Sequence, residues 1–399
     1  MPMTVKATRE GKLLSTLALS SAGLLMLAGC STAQEGASTG GASGADCVNA
    51  EAAQENYSAS WESTADALGL ETLTPVKEEV CEVDTSGWAT EPSQGDTYRV
   101  AFAAQGPVNS WGMLSEEAFK LEAEKQGVEV LYASANGDAT TQVDNVQQLA
   151  SQSPDVMVVV PMGEGITAQV AAAGDQGIPV VVCAGILPES SKAVSTVTRQ
   201  YDLLGSAYAE WIVQKLGGEG DVAMLSGLAG VPTAEYQAAA AKKIFAKYPG
   251  INVVAQEYTE WSPTVAKTVA QNLITKYPDL DGIWSDSAYG DLGVVQAYQE
   301  AGKPVPPMTG DSSNAFLKAV DGMDIEFALS SFPPEQSQEC LRTALNILKG
   351  EPVLNKVYID SASFTNEAAD EYVRLDCDDN LFVPSSLDDA ALVELGLCS

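Results

Sequence analysis

The stretch TYRVAFAAQGPVNSWGMLSEEAFKLEAEKQGVEVLYAS (97–134), continued by TTQVDNVQQLASQSPDVMVVVP (140–161), contains the pattern that decides the fold. Two β-rich runs are each followed by an amphipathic helical pattern, and DVMVVVP (155–161) is an uninterrupted apolar run, typical of a strand covered on both faces. Strand, helix, strand, helix, strand at this spacing predicts a parallel, doubly wound α/β unit. Ligands of such sheets bind beyond the carboxyl ends of the strands, so the loop GPVNSWG (106–112) is the first candidate for a functional site.

The same alternation returns in the second half of the chain. A further set of strand and helix patterns runs from about residue 220 to residue 350. Two similar α/β halves predict two doubly wound parallel-sheet lobes, joined by a hinge, with a ligand cleft between them. This architecture favours a protein that binds a small molecule and closes around it.

The N-terminus has the pattern of an export signal. Basic residues precede an apolar run at 13–28, which is too short for a comfortable membrane span and ends in Leu27-Ala28-Gly29-Cys30. This ending resembles a bacterial lipobox, so we expect a lipoprotein signal peptide at 1–29 and lipid attachment at Cys30. An ordinary secretory signal with an accidental cysteine is the alternative. The Gly- and Ser-rich segment 30–46 is predicted to be a flexible tether that holds the protein at the outer side of the cell membrane.

Composition excludes several classes of function. The formal net charge is −33, and so acidic a surface repels nucleic acid. The chain has no histidine and no CxxC spacing, so we expect neither a metal nor another cofactor. DCDDN (376–380) resembles an ion-binding loop, but Leu381 stands where the calcium turn has glycine.

Seven cysteines in an exported protein predict disulfides. Cys183 lies in a buried strand pattern, where a free thiol behaves as a small apolar side chain. The most local pairings of the others are Cys47 with Cys81 and Cys377 with Cys398. Connectivity cannot be read from sequence, and an odd count leaves one cysteine unpaired or pairs one with Cys183.

A family resemblance becomes specific from about residue 97 to residue 358. Five segments are similar to segments of the sugar-binding solute receptors of ABC importers, the ribose-receptor type of periplasmic binding protein. They are VAFAAQGPVNSWGMLSEEAFKLEAEKQG, NGDATTQVDNVQQLASQSPDVMVVVP, GIPVVVCAG, AQNLITKYPDLDGIWSDSAYGDLGVVQAYQEAG and TGDSS. The resemblance implies a monomeric receptor, without catalysis, that delivers a sugar or related polar molecule (a sugar alcohol included) to an ABC permease. Two alternatives stay open: a ligand-sensing receptor that docks on a sensor kinase or chemoreceptor, and a nucleoside-type binding protein.

The resemblance also implies that the two lobes exchange chain three times. We therefore expect crossovers near Gln200, Ser331 and Pro352. The resulting domains are an N-terminal extension at 47–96, lobe 1 at 97–200 plus 332–352, and lobe 2 with the C-terminal tail at 201–331 plus 353–399.

In lobe 1 and the hinge, the resemblance assigns ligand contacts to Asn109, Ser110 and Trp111 of the first loop. Trp111 offers an apolar face to a sugar ring, and the alternative is a core anchor under the loop. The Asp-Arg pair by which ribose-type receptors hold hydroxyls is replaced here by Ala184-Gly185. Arg199 supplies the missing guanidinium or, alternatively, pairs with surface acids.

In lobe 2, the resemblance implies ligand contacts by residues of four loops, namely Tyr236, Gln237, Trp261, Asp286, Ser287 and Asp311. The usual arginine of the family is replaced in the first of these loops by Gln237 or Tyr236. Trp261 is expected to cover the second face of the ligand. Asp311 is expected to accept hydroxyl hydrogens, and the alternative is a helix N-cap.

Overall fold

The computed structural model describes residues 47–48, 50–74, 79–107, 109–287 and 289–399. The predicted signal peptide, tether and lipid attachment residue Cys30 lie outside the described residues. Among the residues that are described, no helix is long and apolar enough to cross a bilayer.

The N-terminal extension begins with strand β1 (Cys47–Val48), helix α1 (Ala50–Leu68) and strand β2 (Glu82–Val83). β1 pairs antiparallel with β2. A 3₁₀ turn at Ser86–Trp88 then leads towards the first lobe. The extension is thus an ordered structure in its described parts.

Lobe 1 is built on a parallel sheet flanked by helices. Its consecutive elements are β3 (Arg99–Ala104), α2 (Ser110–Gln126), β4 (Glu129–Ser134), α3 (Ala139–Ser151), β5 (Val156–Val159), α4 (Thr167–Asp175), β6 (Val180–Cys183) and β7 (Ser195–Thr198). All residues of β5 and β6 are buried, which explains their uninterrupted apolar sequences. Together with a late strand, β14, the order across the sheet is β14-β7-β6-β5-β3-β4.

Lobe 2 repeats this plan. Its elements are α5 (Tyr201–Lys215), β8 (Glu219–Ser226), α6 (Pro232–Phe245), β9 (Gly250–Tyr258), α7 (Pro263–Lys276), β10 (Gly282–Ser285), α8 (Asp291–Ala301), β11 (Met308–Asp311), α9 (Asn314–Val320) and β12 (Phe327–Ser330). With a final strand, β15, the order is β15-β12-β11-β10-β8-β9, and only β15 runs antiparallel to its neighbour. The prediction of two doubly wound parallel-sheet lobes is confirmed.

The chain then passes back and forth between the lobes. The remaining elements are α10 (Gln336–Lys349), β13 (Val353–Leu354), β14 (Lys356–Tyr358), β15 (Ser363–Thr365), α11 (Ala369–Tyr372) and α12 (Asp389–Glu394). α10 packs on β5, β6 and β7, and β13 pairs with β2 of the extension.

The third crossover lies later than the sequence predicts. β14 pairs in parallel with β7, so this strand belongs to the sheet of lobe 1, whereas β15 pairs with β12 of lobe 2. The prediction of a crossover near Pro352, which gave 353–399 to lobe 2, is therefore wrong in position. The physical reason is that the edge of β7 offers hydrogen bonds: Thr196 N donates to Asn355 O at 2.9 Å, and Ile359 N to Thr198 O at 2.9 Å.

Two disulfides fasten the described body. Cys377–Cys398 joins the ends of the tail and confirms the predicted pair. Cys183–Cys340 joins the end of β6 to α10, so the interpretation of Cys183 as a free thiol is wrong, and the open possibility that it takes a partner is correct. Cys81 is also disulfide-bonded. The predicted pairing with Cys47 falls on a side chain outside those described.

Candidate functional site

The loop after β3 brings the first predicted site residues to the start of α2. Asn109 is the N-cap of α2, and its side-chain oxygen accepts the hydrogen bond of Gly112 N at 2.9 Å. Ser110 follows as the first helical residue and is half-buried. The cap uses only the side-chain oxygen of Asn109, an exposed residue, and does not use its amide nitrogen.

Trp111 is anchored by a residue that the sequence reasoning missed. Its indole is 8% exposed, its Nε1 donates to the carbonyl oxygen of Phe332 at 3.1 Å, and the two rings stack with centroids 4.9 Å apart. Phe332 follows β12, at the second crossover. The sequence signal was weak, because Phe332 stands in SSFPPEQ (330–336) with no periodic pattern. Phe332 takes one face of the indole, so little of Trp111 is left for a ligand in this conformation.

The centre of the site is a buried ion pair between the hinge and lobe 2. Arg199, at the first crossover, donates to both carboxylate oxygens of Asp311 at 2.6 and 2.7 Å. Arg199 is 2% exposed and Asp311 5%. The guanidinium carbon of Arg199 lies 4.1 Å from the ring centroid of Phe332 and 5.3 Å from that of Tyr201. Burial opposes the charged form of the guanidinium, but the adjacent Asp311 raises the pKa of Arg199 overall.

The structure contradicts one alternative for each of these two residues, and their contact with a ligand stays a prediction. Arg199 pairs with a buried carboxylate of the site, so pairing with surface acids is wrong. The N-cap interpretation of Asp311 is also wrong, because the cap of α9 is Ser313, whose hydroxyl accepts from Phe316 N at 3.2 Å. Arg199 Nε has no hydrogen-bond partner among the described residues.

Trp261 is held over the backbone of lobe 2 by an unusual turn. Glu260 and Trp261 both adopt left-handed backbone conformations, with φ of 55° and 49°. Such angles are unfavourable for large side chains and concentrate at functional sites. The turn lays the indole on Gly227, where an added Cβ would lie 1.9 Å from Cε2, so only glycine fits. Trp261 Nε1 donates to Asp286 Oδ1 at 3.2 Å.

Buried carboxyl groups lie close to the carboxyl ends of the strands in lobe 2. Asp286 follows β10 and is 3% exposed; burial, and then the nearby charge of Asp311, raise its pKa to about 7. Asp291, at the start of α8, accepts from Ser285 Oγ at 2.7 Å, and burial raises its pKa well above the ordinary value. Asp291 was missed because an acid in the first turn of a helix is ordinary on sequence grounds.

The remaining predicted residues of lobe 2 have different surroundings. Ser287 forms a turn: its hydroxyl accepts from Gly290 N at 3.1 Å, and its carbonyl accepts from Asp311 N at 2.7 Å. Tyr236 is 53% exposed, while Gln237 is buried between α6 and α5, where a Cβ at Gly205 would lie 2.2 Å from Gln237 O. Among the described contacts, none joins Tyr236 or Gln237 to the Arg199–Asp311 pair.

The acids of loop 376–380 have protein partners. Asp376 binds Arg374, Asp378 accepts from Asn380, and Asp379 binds Lys318. The one group among the described residues that has metal-like spacing, Asp376 with Cys377 and Cys398, has both sulfur atoms in a disulfide. These contacts explain the acidic loop 376–380 as part of a brace against α9.

Comparison with known proteins shows the family to which the chain belongs. The family described as periplasmic binding protein domain matches residues 100–352. The xylitol-binding protein of Mycolicibacterium smegmatis is 29% identical over 272 residues, which cover 67% of this chain and 77% of that protein. The ribose import binding protein of Bacillus subtilis is 22% identical, over 68% of this chain and 90% of its own.

Solved structures show the same fold. An ABC transporter solute-binding protein from Mycobacterium smegmatis with bound glycerol superimposes with a TM-score of 0.64 at 26% identity, covering 70% of this chain and 97% of the other. A periplasmic solute-binding protein from Actinobacillus succinogenes with bound D-allose gives 0.63 at 21% identity, over 69% and 100% of the two chains. Family membership implies an extracytoplasmic location. The chain therefore belongs to the periplasmic binding protein family, whose relatives here are the sugar- and polyol-binding solute receptors of ABC transporters.

Proposed function

We propose that this protein captures a neutral polyhydroxyl molecule, a sugar alcohol or a sugar, between its lobes and delivers it unchanged to the permease of an ABC importer. The observation that carries the proposal is the pairing, at the strand ends of lobe 2 and the hinge, of a buried Arg199–Asp311 ion pair with the Trp261–Asp286 hydrogen bond. The protein has no covalent role in this proposal, because lobe closure alone favours the form that a permease recognises.

The charges of the site favour a neutral ligand. The positive charge of Arg199 is matched by Asp311, so no cation is left over to hold a phosphate or a carboxylate. Asp286, with its pKa near 7, holds a proton part of the time at neutral pH. A carboxyl group that is both donor and acceptor suits hydroxyl groups, which also donate and accept.

The aromatic groups favour a ligand with an exposed C–H face. The half-buried Trp261 and Phe332 present apolar ring surface beside the polar groups. Sugars and polyols combine a C–H face with hydroxyls, and aromatic rings pack on the former.

A sugar alcohol is favoured over ribose. In the place of the Asp-Arg pair of ribose-type receptors stands Ala184-Gly185, and a Cβ at Gly185 would lie 2.6 Å from the ring of Pro161. Neither alanine nor glycine offers a charged group to a ligand from this position. The relative named for xylitol and the solved relative with glycerol support the same preference.

Calorimetric titration of purified protein with xylitol, ribitol, ribose and allose tests the proposal, with the anionic xylonate as a matched charge control. We expect at least one neutral compound to bind and to be recovered unchanged, and xylonate to bind far more weakly than xylitol. Tight binding of xylonate, or conversion of the bound compound, would contradict the proposal.

We also propose that Cys30 is acylated and anchors the receptor to the membrane, since the motif Leu27-Ala28-Gly29-Cys30 follows a short apolar run. The protein made with its own N-terminus should partition into detergent, and Cys30→Ala should abolish this partitioning. Wild-type protein found wholly in the aqueous phase would refute the anchor without affecting the receptor function.

A further inference from the structure

The N-terminal extension contacts the segments where the chain crosses between the lobes. At the first crossover, Tyr57 Oη donates to Asp202 Oδ2 at 3.1 Å, and Gln200 Nε2 donates to the hydroxyl of Ser60. Near the third crossover, the ring of Tyr57 lies 5.6 Å from that of Tyr358 in β14. Tyr57 therefore contacts α5 of lobe 2 and the sheet of lobe 1 at once.

Apolar packing fixes α1 at this position. Tyr57 and Trp61 are 2% and 1% exposed and form a buried cluster with Val80 and with Leu203 of α5. Burial of two large aromatic side chains removes much apolar surface from water, which stabilises such a cluster. The cluster therefore joins α1 of the extension to α5 of lobe 2.

The extension continues along lobe 2. Leu68 is buried in the apolar cluster that includes Trp211 of α5. Gln214 of α5 donates to Gly69 O at 2.7 Å and accepts from Glu71 N at 3.1 Å. The segment 57–74 is thus attached to lobe 2.

The following segment is attached to lobe 1. Cys81 N donates to Asn355 Oδ1 at 3.0 Å, and β2 pairs with β13. Thr90 N donates to the carbonyl of Leu348 in α10 at 3.0 Å. We call the described residues 57–74 and 79–83 the strap, because the first part binds lobe 2 and the second part binds the segment that leads into β14 of lobe 1.

We propose that the strap limits the opening of the hinge and thereby raises the affinity for the ligand; this rests on the proposed hinge-closing function. Opening the lobes requires Tyr57 to give up contacts on one side of the hinge. In a two-state receptor the apparent dissociation constant equals the intrinsic one divided by the fraction of binding-competent molecules. A strap that keeps a larger fraction closed without ligand therefore tightens binding without touching the ligand.

The packing leaves room for limited movement. A cavity of about 300 Å³ lies between α1 and the crossovers, lined largely by polar residues, among them Ser60, Thr64, Gln200 and Ser363. Crossover segments can shift into a polar-lined space without exposing apolar core. The strap is thus expected to restrict the hinge and not to lock it.

The test compares two variants of the strap with a control. Tyr57→Phe removes the hydrogen bond to Asp202, and Trp61→Ala removes the apolar anchor. Trp88→Ala, in the 3₁₀ turn beside α10 of lobe 1, changes the same residue type away from the crossovers. Spin labels on unnatural amino acids at the exposed Gln147 of α3 and Lys243 of α6 report the distance between the lobes, with the native disulfides intact.

We expect Trp61→Ala to lengthen the label distance in ligand-free protein and to weaken xylitol binding about tenfold, as for a tenfold smaller closed fraction. Tyr57→Phe should do the same to a smaller extent, and Trp88→Ala should do neither. Ligand-free distances equal to wild type in both strap variants would overturn the proposal. If Trp61→Ala fails to fold, the label distance in Tyr57→Phe decides on the strap. If xylitol does not bind, the ligand-free distances still decide on the strap, and only the proposed ligand is contradicted.

Discussion

The two lobes have the same fold but carry different chemistry at their strand ends. After β6 of lobe 1 come Ala184 and Gly185, and the carbonyl of Ala184 accepts a hydrogen bond from Tyr201 Oη at 3.4 Å. The equivalent edge of lobe 2 presents the buried carboxyl groups of Asp286 and Asp311. We therefore expect lobe 2 and the hinge to bind the hydroxyl groups of the ligand, while lobe 1 mainly encloses it.

The lobes also differ in how covalent bonds hold them, and this gives the largest expected effect. Cys183–Cys340 joins two elements of lobe 1 across a separation of 157 residues that includes lobe 2, whereas Cys377–Cys398 closes a separation of 21 residues in the tail on lobe 2. Loop-closure entropy predicts about 5 kcal/mol lost from the free energy of unfolding for Cys183→Ala with Cys340→Ala, and about 3 kcal/mol for Cys377→Ala with Cys398→Ala. Urea denaturation of the two double variants measures both. A larger loss for the tail pair would contradict this ranking.

Breaking the buried Arg199–Asp311 ion pair should also lower the free energy of unfolding. Arg199→Met leaves the Asp311 carboxylate buried without its partner, which costs roughly 3–5 kcal/mol of the free energy of unfolding. The control is Lys192→Met, since Lys192 and its partner Asp175 are 42% and 60% exposed and such a pair contributes about 0–1 kcal/mol. Thermal and chemical denaturation measure both changes. Equal effects would mean that the pair is not buried in solution.

The two tryptophans of the candidate site, Trp111 and Trp261, should differ in their contribution to ligand binding. The sequence predicts the same role for both, but Trp261 is half-buried beside Asp286, whereas Trp111 is 8% exposed and stacked on Phe332. We expect Trp261→Ala to lose about 2–4 kcal/mol of binding free energy, the range of an aromatic hot spot. Trp111→Ala should act more on stability. Calorimetric titration of the Trp261→Ala and Trp111→Ala variants, with Trp88→Ala as the control, measures these changes in affinity. An unchanged affinity in Trp261→Ala would show that Trp261 is not part of the binding site.

The last effect is a gradual dependence of stability on pH. The pKa of Asp286 is raised to about 7 in the folded protein, so the folded state binds this proton more tightly than the unfolded state does. Its contribution to the free energy of unfolding therefore falls as pH rises from about 4 to about 7, by at most about 1.4 kcal/mol per pH unit. Asp286→Asn should remove this slope, so the variant gains stability relative to wild type as pH rises. Parallel stability curves between pH 4 and pH 7 would contradict the assignment.

Much of the fold was predictable because it rests on local periodicity. The apolar runs of β5 and β6 and the amphipathic α3 each determine their own structure. Pairings between distant segments were not predictable in this way. Arg199 and Asp311 are 112 residues apart, and nothing in either neighbourhood indicates the other. The partner of Cys183 and the placement of β14 were missed for the same reason.

The candidate site was predictable only in part. Asp286, Asp311 and Trp261 came from the family resemblance, and the structure brings them together with Arg199. Phe332 and Asp291 were missed, because a phenylalanine in an irregular segment and an acid at a helix start carry no signal by themselves. Gln237 lies in a loop that resembles that of the family, yet helix packing against Gly205 decides its position.

The central claim is that the lobes close on a neutral ligand between them, and small-angle X-ray scattering with and without saturating ligand tests it most directly. The ligand is the compound that calorimetry identifies. We predict a smaller radius of gyration in the liganded protein, with no change on adding xylonate. A compound that binds by calorimetry but leaves the scattering curve unchanged would contradict the hinge-closing account.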